Sequence, residues 1–320
     1  MYGSPPLVRL APLLLLLIAG FVLPHLLRQY FLFLGNILMM YAVLALGLDI
    51  LLGWAGQFAF AHIAFFGIGT YATALLHARL GVPFVIAMPL AALLAGLIGL
   101  LIGFPATRLR TVYLALATFA FAEGAQWVFN AWDKVTGGAD GLRISAPTVF
   151  GYATGTDPTA FPVMAAILAL MIAATMYLTT SRLGRAMCAV RESEHVAAAS
   201  GIDVRGTKIW AFAISAVYAG VAGGMYTLFQ SFVNPEVFGF SQIVLLLSMV
   251  VVGGLGSIPG ALIGVALLGL LPEIMRTTMR SLLIWQEFAY GVILILVIMF
   301  MPRGIWGMIV ALRNRKRTHA

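Results

Sequence analysis

The sequence predicts an all-α membrane protein, a polytopic transmembrane bundle of about eight to ten spans. Three observations carry that expectation. Of the 320 residues, 62% are hydrophobic and only 9% are charged, against roughly 45–50% and about 25% in soluble domains. The apolar residues fall in runs close to the ~20 residues needed to cross a hydrocarbon core about 30 Å thick. Charge gathers between the runs instead of spreading over them. Spans and short connections use up the chain, so residues 1–320 read as one transmembrane domain with no separate soluble unit.

The opening run PPLVRLAPLLLLLIAGFVLPHLL has no small-x-small cleavage site and extends to Leu27, so it is read as a first span and not as a signal peptide. Helices are then expected near 7–27, 31–52, 57–79, 84–107, 111–131, 161–179, 208–230, 241–255, 259–275 and 283–302. Between them lie an external loop at 132–160 and a cytoplasmic loop at 180–207, with a basic cytoplasmic tail at 303–320. With the N-terminus inside and sides alternating, 13 of the 19 Lys and Arg residues fall in the cytoplasm, among them Arg9, Arg108, Arg110 and the Arg313–Arg317 cluster. The other six, Arg28, Arg79, Lys134, Arg143, Arg276 and Arg280, fall outside. That is the direction the positive-inside rule requires, and it explains a net charge of +8 without nucleic acid. The single cysteine, Cys188, excludes an intrachain disulfide and a cysteine-based metal cluster.

Two runs are broken by glycine and proline. LLGWAGQFAFAHIAFFGIGTY, residues 51–71, carries Gly53, Gly56, Gly67 and Gly69 together with Gln57, His62 and Phe65. VVGGLGSIPGALIG, residues 251–264, carries Gly253, Gly254, Gly256, Ser257 and Pro259. Such residues free backbone groups that lipid cannot satisfy, so breaks survive where they face protein or a watery cavity. Interrupted helices therefore mark either a substrate path or close helix packing, and both remain open for these two runs. Small-residue spacing at Ala95/Gly99/Gly103, Gly220/Gly224 and Gly260/Gly264 reads as packing.

Asp49 and Glu123 are carboxylates inside apolar runs. Exposing such a charge to lipid costs about 2.5 kcal/mol or more, so each is expected to face the bundle interior. There it lines a polar path, relays a proton or accepts hydrogen bonds from a neighbouring helix. His62 and His77 lack the i, i+4 spacing and the carboxylate partners of a metal site, and no metal ligand is assigned.

Enzymatic motifs are missing from the sequence. GIDVRGTK, Gly201–Lys208, approaches a phosphate-binding loop, but Thr207 stands where the motif needs lysine and an apolar helix follows. GIGTYA, Gly67–Ala72, matches a dinucleotide fingerprint inside a helical run with no preceding strand. Neither a G-x-S-x-G elbow nor H-E-x-x-H is present, so no catalytic residue is assigned.

One polar stretch, GRAMCAVRESEHVAAASGIDVRGTK at 184–208, interrupts the apolar chain. Residues from Arg191 to Ser200 favour a short helix, with Glu192 and Glu194 near its start and Gly201 placed to stop it in a left-handed turn. VAAAS, 196–200, including Ala197 and Ala198, gives a small-residue face suited to a shallow groove. Arg185, Arg191 and the two glutamates can pair with charges around that groove.

This stretch resembles the cytoplasmic coupling loop of ABC-transporter permeases for branched-chain amino acids, close to G-R-A-x-x-A-[IV]-R-E-x-E-x-A-A-x-x-x-G-I. LGWAGQFAFAHIAFFGIGTYATALL at 52–76, TGGADGL at 136–142 and VVGGLGSIPGALIG at 251–264 resemble the family's other signatures, in its order, and the pattern is more like the LivM-type than the LivH-type subunit. The sequence departs from the family at Asp49, where a neutral polar residue is usual, and at AFAHIAF, which replaces a serine-glycine run. The resemblance implies a multi-pass permease in a bacterial inner (plasma) membrane, with both termini cytoplasmic. Its implied partners are a second homologous permease, two cytoplasmic ATP-binding subunits that hold ATP and Mg, and a periplasmic binding protein delivering leucine, isoleucine or valine. No cofactor would be bound by this chain itself. Arg185, Arg191, Glu192, Glu194, Ala197, Ala198 and Gly201 would serve coupling. Thr136, Gly137, Gly138, Asp140 and Gly141 would help receive the binding protein. Two other readings fit the sequence: a permease for urea or short amides, and an ion-coupled secondary carrier using Asp49 or Glu123.

Overall fold

Inside a membrane an apolar run satisfies its backbone by coiling, and where glycine or a polar side chain ends the coil the chain must turn against protein. The computed structural model follows that logic. It describes residues 6–144, 147–149, 152–154, 156–271, 288, 291–292, 295–297, 299, 301 and 304–317. Most of the expected span at 283–302, together with Arg276, Arg280 and Arg303, lies outside the described residues.

The helices are α1 (Pro6–Leu26), α2 (Gln29–Asp49), α3 (His62–Ala78), α4 (Phe84–Ala106), α5 (Thr111–Ala131), the short α6 (Asp133–Thr136), α7 (Asp157–Thr180), α8 (Arg182–Glu192), α9 (Glu194–Ala199), α10 (Val204–Phe229), α11 (Phe240–Gly253), α12 (Ile258–Gly269) and α13 (Gly304–Arg317). Two small antiparallel ribbons complete the described chain: β1 (Leu142–Arg143) pairs with β4 (Phe232–Val233), and β2 (Thr148–Val149) with β3 (Tyr152–Ala153). Among the described residues, five stretches are long and apolar enough to cross a membrane: 29–54, α4, α5, α7 and α10. Shorter apolar helices lie within α1 and at α11 and α12. The polytopic helical bundle is the expected fold class.

α10 is the centre. Asp203 caps it by accepting a hydrogen bond from Gly206 N–H at 3.0 Å, and most of its length from Thr207 to Leu228 is buried. Its neighbours α3 and α4 approach through small residues, as expected from the spacing. A Cβ on Gly99 would lie 2.5 Å from the Ala216 Cβ, and one on Gly220 would lie 2.7 Å from the Ala92 Cα. At the other end of the chain, Gly253, Gly260 and Gly264 bring α11 and α12 equally close.

Two expectations need correction. The span expected at 57–79 starts at His62, because α2 ends in a π-helical turn (Ile50–Trp54) and residues 55–61 run without helix through Gly56 at φ +67°. Glu123 does not face the interior: α5 turns it outward and it is exposed. α5 buries Leu114, Thr118, Ala122 and Phe129, and that face leaves Glu123 on the opposite side.

Overpacking a helix contact costs about 1–3 kcal/mol. Gly220→Leu should therefore lower the thermal unfolding midpoint of the detergent-solubilised chain by several degrees or abolish its recovery, as read by fluorescence-detected gel filtration after heating. An unchanged midpoint would contradict the close α4–α10 approach.

Candidate functional site

The polar segment forms two helices, where one is expected from Arg191 to Ser200. Ser181 caps α8, accepting from Gly184 N–H at 3.2 Å. α8 then ends at Glu192, because Ser193 adopts φ −161° and caps α9 by accepting from Val196 N–H. Glu192 thus sits at a helix C-terminus, where the helix dipole disfavours it, while Glu194 occupies the favourable first turn of α9. Gly201 follows at φ +80°, the left-handed stop expected there.

α8 lies against the bundle through Gly184, Met187 and Val190. Arg185 Nη1 donates to the Thr180 carbonyl at 2.7 Å and so satisfies the end of α7. Burial raises the Cys188 thiol above its ordinary value, which leaves it a poor nucleophile. On α9 only Ala197 turns inward, whereas Val196, Ala198, Ala199 and Ser200 are exposed. Glu194 pairs with Lys208 of α10 at 2.6 Å, a contact within the chain that its sequence neighbourhood did not suggest.

Arg191 joins this segment to both broken runs. Its Nη1 donates to the Gly53 carbonyl in the π-helical turn. Such a turn pairs carbonyls with N–H groups five residues on, as Ile50 does with Ala55, and leaves later carbonyls in want of a donor. The arginine stem lies on Gly56, where a Cβ would come within 2.9 Å of Arg191 Cγ. Its guanidinium also touches the α11–α12 elbow, where a Cβ on Gly256 would lie 2.9 Å from Nη1. Beside it, Asp49 is 1% exposed and accepts from Gly256 N–H at 2.7 Å. Asp49 also feels the charge of Arg191. Ser257 caps α12 by accepting from Gly260 N–H at 3.1 Å and donates to the Gly254 carbonyl at 2.9 Å. Gly304, at the start of α13, packs against Gly254 at φ +120°.

The structure therefore brings Asp49, Gly56, Gly256 and Arg191 into one knot, and places Gly253, Gly254 and Ser257 in the adjoining elbow. Gly53, Gly304 and Lys208 belong to the same assembly and were not among the candidate residues. Gly53 was visible as part of the broken run; nothing local marks the other two. Gln57 lies in the non-helical stretch, buried, with its side-chain amide on the Ala55 carbonyl at 3.2 Å. Phe65 and Gly67 are core residues, packed on Phe121 and on Phe129 and Phe238.

His62 is also internal. Nε2 donates to the Leu44 carbonyl at 2.9 Å, so in the neutral ring Nδ1 accepts from the Ser215 hydroxyl, also at 2.9 Å. Both nitrogens are committed, and the ring ties α2, α3 and α10 together. Next to it, Leu48, Leu52, Phe58, Phe60, Ile63, Ile243 and Leu247 line a narrow apolar crevice with a free volume of about 10 Å³, room for about one water molecule. No group of acidic, cysteine or histidine residues that could hold a metal ion occurs among the described residues.

In the 132–160 loop, TGGADGL forms a tight turn packed on α5 and β4. Thr136 donates to the Phe129 carbonyl at 2.7 Å and accepts from Gly138 N–H at 3.3 Å. Gly137, Gly138 and Gly141 have φ of +79°, +57° and +71°, a backbone open to glycine and strained for other residues. Asp140 is the site candidate there that projects outward.

The comparisons agree with this architecture. The family model described as branched-chain amino acid transport system / permease component matches residues 30–300. The high-affinity branched-chain amino acid transport system permease protein LivM of Escherichia coli (strain K12) is 31% identical over 317 residues, covering 92% of this chain and 74% of the relative. The corresponding LivH of the same organism is 28% identical over 288 residues, covering 83% and 91%. BraD of Pseudomonas aeruginosa is 29% identical over 292 residues, covering 83% and 91%. No solved structure matches the chain. The match runs from α2 through both broken runs and the polar segment that the knot joins, and this multi-pass membrane chain belongs to the branched-chain amino acid permease family.

Proposed function

We propose that the chain is one permease of an ATP-driven importer of leucine, isoleucine and valine. In this reading it works with a second homologous permease, two cytoplasmic ATP-binding subunits that hold ATP and Mg, and a periplasmic binding protein. It sits in the bacterial inner membrane with both termini cytoplasmic, and the ATP-binding subunits perform the hydrolysis. The relatives' names support the substrate class. Arg185, Arg191, Glu192, Glu194, Ala197, Ala198 and Gly201 form the coupling segment, with Val196, Ala198 and Ala199 of α9 as the surface presented to an ATP-binding subunit. Thr136, Gly137, Gly138 and Gly141 shape the external turn and Asp140 presents a charge to the binding protein.

The observation that carries the reading is the hydrogen bond from Arg191 to Gly53. It ties the end of α8 to the point where α2 breaks, so a displacement of α8–α9 reaches the membrane interior without passing through solvent. A hydrogen bond from a charged donor contributes about 1.5–3 kcal/mol, so its loss corresponds to roughly ten- to a hundredfold in an equilibrium. In proteoliposomes of the full complex, Arg191→Ala should lower leucine uptake per ATP hydrolysed by about that factor. The ATP-binding subunits should still co-purify. Uptake at the native ratio, or uptake by the lone chain without ATP, would overturn the reading.

Asp49 separates this function from an ion-coupled carrier. Its Oδ1 is already used on the Gly256 N–H, a structural bond that a carboxamide oxygen also makes. Asp49→Asn should retain most ATP-driven uptake, whereas Asp49→Ala, which strands the buried N–H at about 1–3 kcal/mol, should lose most of it. A proton relay requires the opposite for asparagine, and uptake abolished by Asp49→Asn in a folded complex would favour it.

A further inference from the structure

α5 inverts the relation expected of a lipid-facing helix. Of the five long spans it is the least buried and the least apolar, with a mean hydropathy of 1.3 against 2.6 for α4. A helix whose bare face meets hydrocarbon should be the most apolar of the set. α4 obeys: its bare face presents Leu90, Leu93, Leu97 and Leu101. The bare face of α5 carries Val112 and Leu116 too, but it also runs through Tyr113, Ala117, Ala120, Glu123, Gly124 and Trp127 at helical spacing.

Two residues in that stripe are unexplained by the described residues. Glu123 stands 12 residues into a 21-residue helix, about 18 Å from one end at 1.5 Å per residue. It is exposed there and makes no hydrogen bond or ion pair among the described residues. Lipid at that depth would leave a carboxylate with neither water nor a partner, so protein or water must cover it. Gly124 adjoins it. The glycines of α2, α3, α4 and α10 all have an atom within 4 Å of where a Cβ would be, and each is spent on a packed neighbour; Gly124 has none. With Ala120 one turn before, it makes a small-xxx-small pair that faces nothing among the described residues.

We propose that this face of α5 is the seam for the second, homologous permease, whose helix approaches over Ala117, Ala120 and Gly124 and supplies a donor or cation to Glu123. The proposal rests on the importer reading and adds to it which surface pairs. Lipid is excluded by the carboxylate. A distinct homologous chain is favoured over a second copy because Escherichia coli (strain K12) carries both a LivM and a LivH, each similar to this chain over most of its length.

A photo-crosslinking residue at position 120, with a control at position 97 on the leucine face of α4, tests this in native membranes holding the whole complex. Position 120 should yield an adduct identified by mass spectrometry as the homologous permease, while position 97 yields lipid adducts. Adducts at 120 with lipid, or with a copy of this chain, overturn the proposal. Gly124→Leu is the second arm. Its side chain enters open space within this chain, so the fold is retained, but overpacking the seam should cut recovery of the second permease by about tenfold. The ATP-binding subunits, held at α8–α9, should stay. Native recovery of the second permease with this variant overturns the seam and leaves the importer reading standing. If neither the second permease nor the ATP-binding subunits accompany the native chain, the importer reading fails and the seam falls with it.

Discussion

Arg191 on the Gly53 carbonyl and Asp49 on the Gly256 N–H are the pair of contacts on which this end of the bundle depends. α2 stops inside the bundle and leaves a carbonyl in need of a donor. The α11–α12 elbow leaves an N–H in need of an acceptor. Neither can be met by water in a buried setting, and an unmet group costs free energy comparable to a lost hydrogen bond. One cation and one anion meet both, and their own charges offset each other. Space then dictates the sequence: a Cβ at 53 would strike Asp49, and one at 56 or 256 would strike Arg191.

From that knot the path of the chain follows. With Gly56 turned to positive φ, residues 55–61 leave the helix axis and cross toward α5, where the Thr118 hydroxyl accepts from Phe60 N–H at 3.0 Å. α3 therefore begins at His62, already deep enough for its ring to reach Leu44 and Ser215. The same shortening lets Gly69 meet Gly220 and Gly223 meet the Thr70 N–H, so α3 and α10 share contacts that no larger residue permits. α10 gains its central place from this packing, and its N-terminus emerges beside α8 and α9, capped by Asp203.

The bundle was legible because its signal is composition and run length, which a bilayer makes nearly sufficient. Boundaries at 84–107 and 111–131 came within a residue of α4 and α5. The breaks were legible as glycine-rich, but not their purpose, since glycine marks a close approach without naming what approaches. Arg191, read as a surface charge for a partner, turned out to be what Gly56 and Gly256 accommodate. Glu192 was placed at a helix start because Ser193, a residue that both caps and breaks, was read as helical. Glu123 was expected inside because the argument from lipid cost requires only that a carboxylate be covered, and among the described residues nothing covers it.

The break at Ser193 decides how α9 can act on the rest. A continuous helix from Arg182 to Ala199 would turn one stripe to the bundle along its whole length, and Val196, Ala198 and Ala199 could not all stand free while Met187 and Val190 stay buried. Two links connect α9 to the interior. The Glu194–Lys208 pair is half open to solvent, with side-chain exposures of 51% and 6%, and a partly exposed pair contributes at most about 1 kcal/mol. The covalent link through Ser193 to α8 has no such limit, and Arg191, in the last turn of α8, carries the partly buried bond to Gly53. In the proposed importer, force on α9 therefore travels chiefly through α8 and Arg191 to the ends of α2 and α11. Lys208 serves to keep α9 from swinging free between strokes.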